Sequence, residues 1–389
     1  MSDDLKPSTR VRRLGTTRIE SMLGQGGMAE VLRGIQETLE RPVAVKILKP
    51  EALSQPDALE RFRREALALA RLQHQNIVAV YDLVEKSDRL YLLMELVDGV
   101  DVEVLVQQAP LPLDLVLLIG SEVAAALEHA HQHKVIHRDV KPANVMLSRT
   151  GQVKLTDFGI AKDLTQDDLT RQGFIVGTPS YLAPEQVLCK GADARTDLYA
   201  LGALLYRCLS GQRPYQASTE AELLIAIVQG QRRPLRQVLP GTPRVIDKLI
   251  TRCMHVDPRR RYQHASELRR DLDRLLAAVL EGSRAGRVIE VLRQRGHLED
   301  IDATVLELKE IVVTHAIEKP EQALQAAAAQ LTPPSFADRL WSRLGTILVL
   351  VAVLLGLAVL ALLLAPGQVQ AWLQHAQHAL EAWQAGAPP

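Results

Sequence analysis

The chain has 389 residues, 24% of them charged, and its 46 basic side chains balance 46 acidic ones. This length exceeds one average domain, so we expect two or more structural units. The zero net charge offers no polycation for nucleic acid, which we exclude as a partner. The three cysteines, Cys189, Cys208 and Cys253, have no metal-ligand spacing, which is typical of buried thiols in a reducing compartment.

The first predicted elements are two strands, residues 19–22 and 29–33, joined by a glycine-rich turn. Before them, residues 1–17 are polar and basic without an apolar core, which predicts a flexible segment rather than a secretory signal. Glycines let a backbone approach phosphates closely, although an isolated Gly-x-Gly more often forms a hairpin turn. No Gly-Lys-Ser/Thr follows, so the turn is not a P-loop. The turn spans residues 23–31 and begins with Leu23, Gly24, Gln25, Gly26 and Gly27.

A short apolar strand, residues 43–46, ends in a lysine, and a helical pattern follows at residues 61–69. Glu65 on that helix lies 19 positions after Lys46. Either charge alone would be an ordinary solvated side chain. Two more strands are predicted at residues 77–84 and 90–93, and apolar periodicity predicts a long helix at residues 113–133.

The most informative stretch follows that helix and combines two motifs within 23 residues, His-Arg-Asp-Val-Lys-Pro-Ala-Asn at 137–144 and Asp-Phe-Gly at 157–159. They supply a carboxylate that can orient a hydroxyl, a cation for a transferring phosphate, and an Asn and an Asp that can hold magnesium. Phosphoryl transfer needs these parts, because its loose transition state demands positioning and charge neutralisation rather than covalent help.

Taken together over about residues 18–280, these motifs resemble the catalytic core of bacterial, eukaryotic-like (Hanks-type) transmembrane serine/threonine protein kinases. The resemblance implies an α+β, two-lobed fold with a small β-rich N-lobe and a large α-helical C-lobe. It also implies the substrates and cofactors: ATP, Mg²⁺ or Mn²⁺, and Ser or Thr of proteins. The Lys141-Pro142 pair is the serine/threonine version of the loop.

The resemblance assigns a role to each catalytic side chain. Asp139 accepts or orients the proton of the substrate hydroxyl, and Lys141 contacts the γ-phosphate. Asn144 and Asp157 hold the metal ions that bridge the phosphates.

The nucleotide pocket is implied in the same way. Lys46 grips the α- and β-phosphates with Glu65 as its partner, and backbone groups of Glu95 and Val97 bind adenine. The remaining pocket residues are Leu23, Gly24, Gly26 and Gly27 of the turn, the apolar walls Val31, Ala44 and Met146, Met94 at the back, and Asp101 at the ribose.

Residues 157–185 correspond to the activation segment of such kinases. Arg138 lies ready for a phosphate there, because a phosphorylated threonine can order a loop against an arginine. Thr170 is our first candidate for autophosphorylation and Thr165 the second, whereas Thr178 contacts the catalytic residues as part of the substrate platform.

Four further residues are implied to be structural. Phe158 packs against His137 and Leu69 in the column that aligns active kinases. Asp197 opens a helix at residues 198–209 and anchors the catalytic loop, while Glu185 forms a buried pair with Arg261.

Beyond residue 280 the kinase motifs stop, and residues 281–344 are predicted to be a helical juxtamembrane linker with helices at 287–295, 304–316 and 321–331. Whether this linker docks or forms a homodimer stays open. Residues 345–365 carry no charge and would span about 31 Å as a helix, which predicts one membrane span. A buried soluble helix, the alternative, seldom stays apolar on every side for this length.

The orientation follows from flanking charge. Arg339 and Arg343 precede the span, while residues 366–389 contain no Lys or Arg. The positive-inside rule therefore puts the kinase domain in the cytoplasm and the short tail outside, in a bacterial cell membrane.

Two other classes of function compete with an active kinase. A pseudokinase scaffold would bind partners without catalysis, but the sequence retains every catalytic residue. A small-molecule phosphotransferase would lack the peptide-substrate platform, which is present as Gly177-Thr178-Pro179 and Ala183-Pro184-Glu185.

Overall fold

The computed structural model of the protein describes residues 13–25, 29–48, 63, 66–86, 89–158 and 179–298. Within them, strands dominate the first third and helices the rest. The strands are β1 (Arg13–Leu14), β2 (Thr17–Gln25), β3 (Ala29–Gln36), β4 (Arg41–Leu48), β5 (Val80–Lys86), β6 (Arg89–Glu95), β7 (Gly99–Asp101), β8 (Val145–Ser148) and β9 (Val153–Leu155). The helices are α1 (Val102–Gln108), α2 (Leu113–Gln132), α3 (Pro184–Val187), α4 (Ala194–Ser210), α5 (Glu220–Gln229), α6 (Leu235–Val238), α7 (Arg244–Cys253), α8 (Ala265–Ala277) and α9 (Arg284–Gln294).

The N-lobe is an antiparallel six-stranded sheet in the order β1-β2-β3-β4-β6-β5. Alternate residues of each strand point to one face, so the apolar ones collect on a single side. They form a buried cluster of Leu14, Leu32, Val43, Val45, Ile47, Tyr91 and Leu93. Residues 66–70 are also helical in this lobe.

Four of the five strands predicted in the N-lobe lie within longer observed strands, whereas the fifth starts later than predicted. The strand expected at residues 77–84 begins at Val80. Ile77 instead forms an isolated parallel bridge with Leu155, because the backbone there pairs with β9 and Leu155 donates its N–H to Asn76. This crossing joins the N-lobe to the strand that precedes Asp157.

The C-lobe is built round α2, which is buried along most of its length and packs against α4 and α8. The helix expected at residues 198–209 is longer and starts earlier, at Ala194, so Asp197 lies within its first turn rather than before it. The reason is local: the Asp193 carboxylate accepts a hydrogen bond from the Arg195 N–H and caps the helix.

A small sheet, β7-β8-β9, lies where the chain passes from the N-lobe to the C-lobe. The described residues therefore confirm the two-lobed α+β architecture. In residues 13–298, with the gaps given above, no helix is both long and apolar enough to cross a membrane. The predicted helices at 304–316 and 321–331, the span at 345–365 and the tail at 366–389 lie outside the described residues.

Candidate active site

The catalytic loop, residues 137–144, is held by Asp197 on α4 of the C-lobe, whose side chain is fully buried. Its carboxylate accepts the backbone N–H groups of His137 and Arg138 at 2.9 and 2.8 Å. A third hydrogen bond joins it to His131 Nε2 at 2.8 Å. These bonds hold Arg138 at a φ of 63°, a conformation that side chains other than glycine adopt at a cost. The loop backbone is therefore held in place before any substrate binds.

The ring of His137 in turn holds the backbone of Asp139 through a hydrogen bond. A backbone carbonyl can only accept and a backbone N–H can only donate, so the contacts of the ring identify its tautomer. Nε2 donates to the Thr156 carbonyl at 2.9 Å, and Nδ1 accepts the Asp139 N–H at 3.2 Å. Burial lowers the pKa of His137, in agreement with a neutral ring. The ring also contacts Phe158, with centroids 4.4 Å apart.

Three functional side chains of the catalytic loop converge. Asp139 Oδ2 accepts hydrogen bonds from Lys141 Nζ at 2.8 Å and Asn144 Nδ2 at 3.1 Å. Asn144 Nδ2 also donates to the Asp139 carbonyl at 2.7 Å. Because the Asn144 nitrogen is used in this way, its amide oxygen is the atom that can act as a metal ligand.

The two lobes meet at an ion pair between Lys46 on β4 and Asp157, with Nζ and Oδ1 2.6 Å apart. Burial raises the pKa of Asp157, but the charge and hydrogen bond of Lys46 outweigh burial and hold the pKa below its ordinary value. The carboxylate is thus ionised at neutral pH. Asp157 has a φ of 54°, so its backbone is also strained.

Strand register places the predicted nucleotide-pocket residues opposite one another. Val31 pairs with Lys46, and Ala44 pairs with Met94. On the other side of the cleft, Asp101 pairs with Met146 and caps α1 by accepting the Val104 N–H at 2.9 Å. Glu95 ends β6 and Val97 follows it, while Leu23 and Gly24 lie in β2.

Behind Met94 lies a small cavity that Lys46, Leu69, Asp157 and Phe158 also line. Leu69 and Phe158 are buried and both line this cavity, whereas His137 does not line it and contacts the ring of Phe158. Leu155, in the strand before Asp157, also lines the cavity.

The pair Glu185–Arg261 anchors the substrate side. The guanidinium binds both carboxylate oxygens at 2.7 Å, and its side chain is 0% exposed. Its other bonds go to the carbonyls of Arg195, His255 and Val256, so every donor is used. Burial raises the pKa of Glu185, but Arg261 more than offsets this and lowers the pKa.

Sequence reasoning missed a second interlobe pair. Lys154 Nζ lies 2.8 and 3.0 Å from the two carboxylate oxygens of Glu95, which was predicted to act only through its backbone. Glu95 Oε2 also accepts the Ala79 N–H at 3.1 Å. A lysine between two buried residues of β9 was the available signal. His131 on Asp197 and Thr196 on Glu185 were also missed.

Six predicted site residues lie outside the described residues, and their positions stay predictions. They are Gly26, Gly27, Glu65, Thr165, Thr170 and Thr178.

Comparison with known proteins agrees with this geometry. The family described as protein kinase domain matches residues 17–271. Serine/threonine-protein kinase PrkC of Bacillus subtilis is 34% identical over 259 residues, and PknJ of Mycobacterium tuberculosis is 41% identical over 258 residues. The matches cover 66% and 64% of this chain but only 40% and 44% of those kinases, so the chain spans less than half of their length.

Solved structures give the same result. The kinase domain of Mycobacterium tuberculosis PknI matches with a TM-score of 0.55 and 29% identity, covering 67% of this chain and 96% of that domain. A structure of Rad53 in complex with AMP-PNP matches with a TM-score of 0.56 and 26% identity, covering 65% of this chain and 64% of Rad53 residues 1–466. The chain belongs to the protein kinase family, in its bacterial Hanks-type branch.

Proposed function

We propose that the chain is an ATP-dependent protein kinase that transfers the γ-phosphate of ATP to Ser or Thr of proteins. One observation carries the proposal: Asp139, Lys141 and Asn144 form one hydrogen-bonded group, and Lys46 reaches Asp157 across the cleft at 2.6 Å. The relatives with serine/threonine kinase names support the class of substrate.

The chemistry assigned to this group is positioning and charge neutralisation. Asp139 orients the substrate hydroxyl and accepts its proton, while Lys141 balances the charge of the carboxylate and of the phosphate in transfer. Lys46 neutralises the phosphates nearer the nucleoside. His137, neutral and bonded on both nitrogens, keeps the Asp139 backbone in place rather than exchanging protons.

The residues present fit divalent metal ions. A divalent cation bound with ATP would neutralise the negative charge of the phosphates. Hard cations prefer oxygen ligands, and the Asn144 amide oxygen and the ionised Asp157 carboxylate supply them. Asn144 and Asp157 would hold the metal.

Asp139→Asn tests the function directly. We expect phosphorylation of a generic protein substrate by the variant to fall about 10²- to 10⁴-fold, because an amide cannot accept the hydroxyl proton. Radiolabelled ATP with protein substrates and, separately, small alcohols gives the measurement. Equal labelling by the parent chain and by Asp139→Asn would favour the pseudokinase scaffold. Labelling of alcohols alone would favour a small-molecule phosphotransferase.

Autophosphorylation is part of the proposal and rests on the sequence of the activation segment. Thr170, and secondarily Thr165, would receive the phosphate, and Arg138 supplies a cation within the catalytic loop, next to Asp139. Mass spectrometry after incubation with Mg-ATP should find phosphate at Thr170, and Thr170→Ala should lower activity. A fully active enzyme whose segment remains unmodified would contradict this step.

The layout is proposed from the sequence as well: a catalytic domain at 18–280, a linker at 281–344, a span at 345–365 and an outer tail at 366–389. A single span would hold the kinase domain at the cytoplasmic surface of the membrane. Carbonate extraction of membranes should leave the full chain in the pellet, and replacing two leucines of the span with arginine should release it.

A further inference from the structure

Helix α9 lies beyond the part of the chain that the family match covers, which ends at residue 271. It nevertheless packs on the catalytic domain. Val288, Val291 and Leu292 are fully buried, and the Ser283 side chain caps the helix by accepting the Gly286 N–H at 3.0 Å. Complete burial of three apolar side chains fixes α9 on this surface.

Ion pairs fix its orientation. Arg284 donates to Glu122 on α2 at 2.6 Å and to Asp273 on α8 at 2.7 Å. One turn later, Arg287 donates to Asp114 at the start of α2 at 3.0 Å. The helix is thus bonded to both of the long helices beneath it.

The first turn of α9 also touches the turn between β8 and β9. Gly151 has a φ of +84°, and a Cβ there would lie only 2.7 Å from the Cα of Ala285 and would overlap its carbonyl oxygen. In the same turn, Arg149 donates its backbone N–H to the Asp98 carbonyl at 2.9 Å. Asp98 directly follows Val97, one of the two residues proposed to bind adenine.

A second contact reaches the ribose side. Beyond the end of α9, Arg295 donates to the Pro110 carbonyl at 2.9 Å, and His297 lies 3.0 Å from Gln108 at the end of α1. The first turn of α1 is capped by Asp101. The segment from Ser283 to His297 therefore supports α1 and the β8–β9 turn, which is bonded to the hinge, defined here as residues 94–99 between the two lobes.

We propose that helix α9 is a positioning element of the nucleotide site: by bracing the Gly151 turn and α1, it holds the hinge backbone and Asp101 in place for ATP. This inference rests on the proposed kinase function. It predicts that loosening α9 weakens nucleotide binding while the catalytic group round Asp139, which α9 does not contact in the described residues, keeps its turnover rate.

Two glycines provide a matched test in the full chain. Gly151 and Gly191 have nearly equal positive φ angles, +84° and +83°, but a Cβ on Gly191 meets no atom within 4 Å. Alanine is disfavoured at a positive φ in both positions, and Gly151→Ala adds the contact with α9. We expect Gly151→Ala to raise the Kd for Mg-ADP and the KM for ATP about 3- to 10-fold, with kcat within about twofold of the parent. Gly191→Ala should leave the Kd unchanged.

Arginine variants give a second readout if Gly151→Ala does not fold. Arg284→Ala should raise the Kd for Mg-ADP, Arg284→Lys should restore most of the affinity, and Arg270→Ala on exposed α8 surface should have no effect. Equal Kd values for the two glycine variants, or for the two alanine variants of arginine, would overturn the role of α9. Failure of the parent chain to bind Mg-ADP would instead overturn the proposed function itself.

Discussion

Two sets of charged residues differ in their surroundings. Asp197 and Arg261 anchor loops of the C-lobe, whereas Lys46 and Asp157 form the contact across the nucleotide cleft. The side chains of Asp197 and Arg261 are 0% exposed: Asp197 accepts three hydrogen bonds, and Arg261 uses every donor on Glu185 and backbone carbonyls. Lys46 and Asp157 are 18% and 38% exposed and share a single ion pair. The protein therefore fixes its loops with buried, hydrogen-bonded charges and leaves accessible the charges that must bind a ligand.

The largest loss of stability should come from breaking the buried pair of Glu185 and Arg261. Arg261→Met leaves the Glu185 carboxylate buried without its cation, and we expect the free energy of unfolding to fall by about 3–5 kcal/mol. Urea denaturation followed by circular dichroism measures this. Arg259→Met, at a side chain that is 86% exposed, is the control and should cost less than about 0.5 kcal/mol.

The double variant Arg261→Met with Glu185→Gln removes both charges. It should be less destabilised than the sum of the two single variants, because neither charge then remains buried alone. If the losses in the free energy of unfolding of the two single variants simply added up in the double variant, Arg261 and Glu185 would act separately and not as a buried pair.

An intermediate effect is expected at the pair between Glu95 and Lys154, which lies between the two extremes in exposure. Lys154→Met strands a largely buried acceptor and should cost about 1–3 kcal/mol. Adding Glu95→Gln should recover part of this loss, since an amide oxygen can still accept the Ala79 N–H. Thermal unfolding of the single and double variants decides. If the double variant were less stable than Lys154→Met, Glu95 and Lys154 would not be partners in the way proposed.

Acid should weaken the C-lobe anchor in a defined range. The folded-state pKa of Glu185 lies below its ordinary value of 4.5 because Arg261 outweighs the effect of burial. A lowered pKa means that this carboxylate stabilises the fold above about pH 4.5 and that the contribution is lost as the pH falls through the folded-state pKa. The stability gap between the parent and Glu185→Gln should therefore be full at pH 7 and shrink below pH 4.5 in denaturant titrations. A constant gap down to pH 3 would refute this account.

Much of this site could be predicted from the sequence, because ordered motifs specify local loops. The groups round Asp139 and the pair between Glu185 and Arg261 lie where the motifs indicate. The partnership of Glu95 with Lys154 could not be predicted, since it depends on how β6 and β9 meet in space. The early start of α4 depends on a cap at Asp193 that competes with the apolar pattern.

The docking of α9 was equally hidden from sequence reasoning. Its arginines are compatible with a solvated helix, and only tertiary packing shows that Arg284 and Arg287 face acidic residues of α2 and α8. A charge pattern indicates which residues can pair and says nothing about which elements will come close enough to do so.

The smallest effect isolates the role of water. Arg33 on β3 and Glu20 on β2 lie on neighbouring strands of the N-lobe sheet, 3.3 Å apart, with the arginine 49% exposed. This is the same chemical pair as Arg261 and Glu185, but water and salt screen it, so Arg33→Ala should change the free energy of unfolding by less than about 1 kcal/mol. The change caused by Arg33→Ala should be smaller in 1 M NaCl than in 0.1 M NaCl. The change caused by Arg261→Met should be the same at both salt concentrations. If both pairs responded to salt alike, burial could not be what separates the anchors from the cleft.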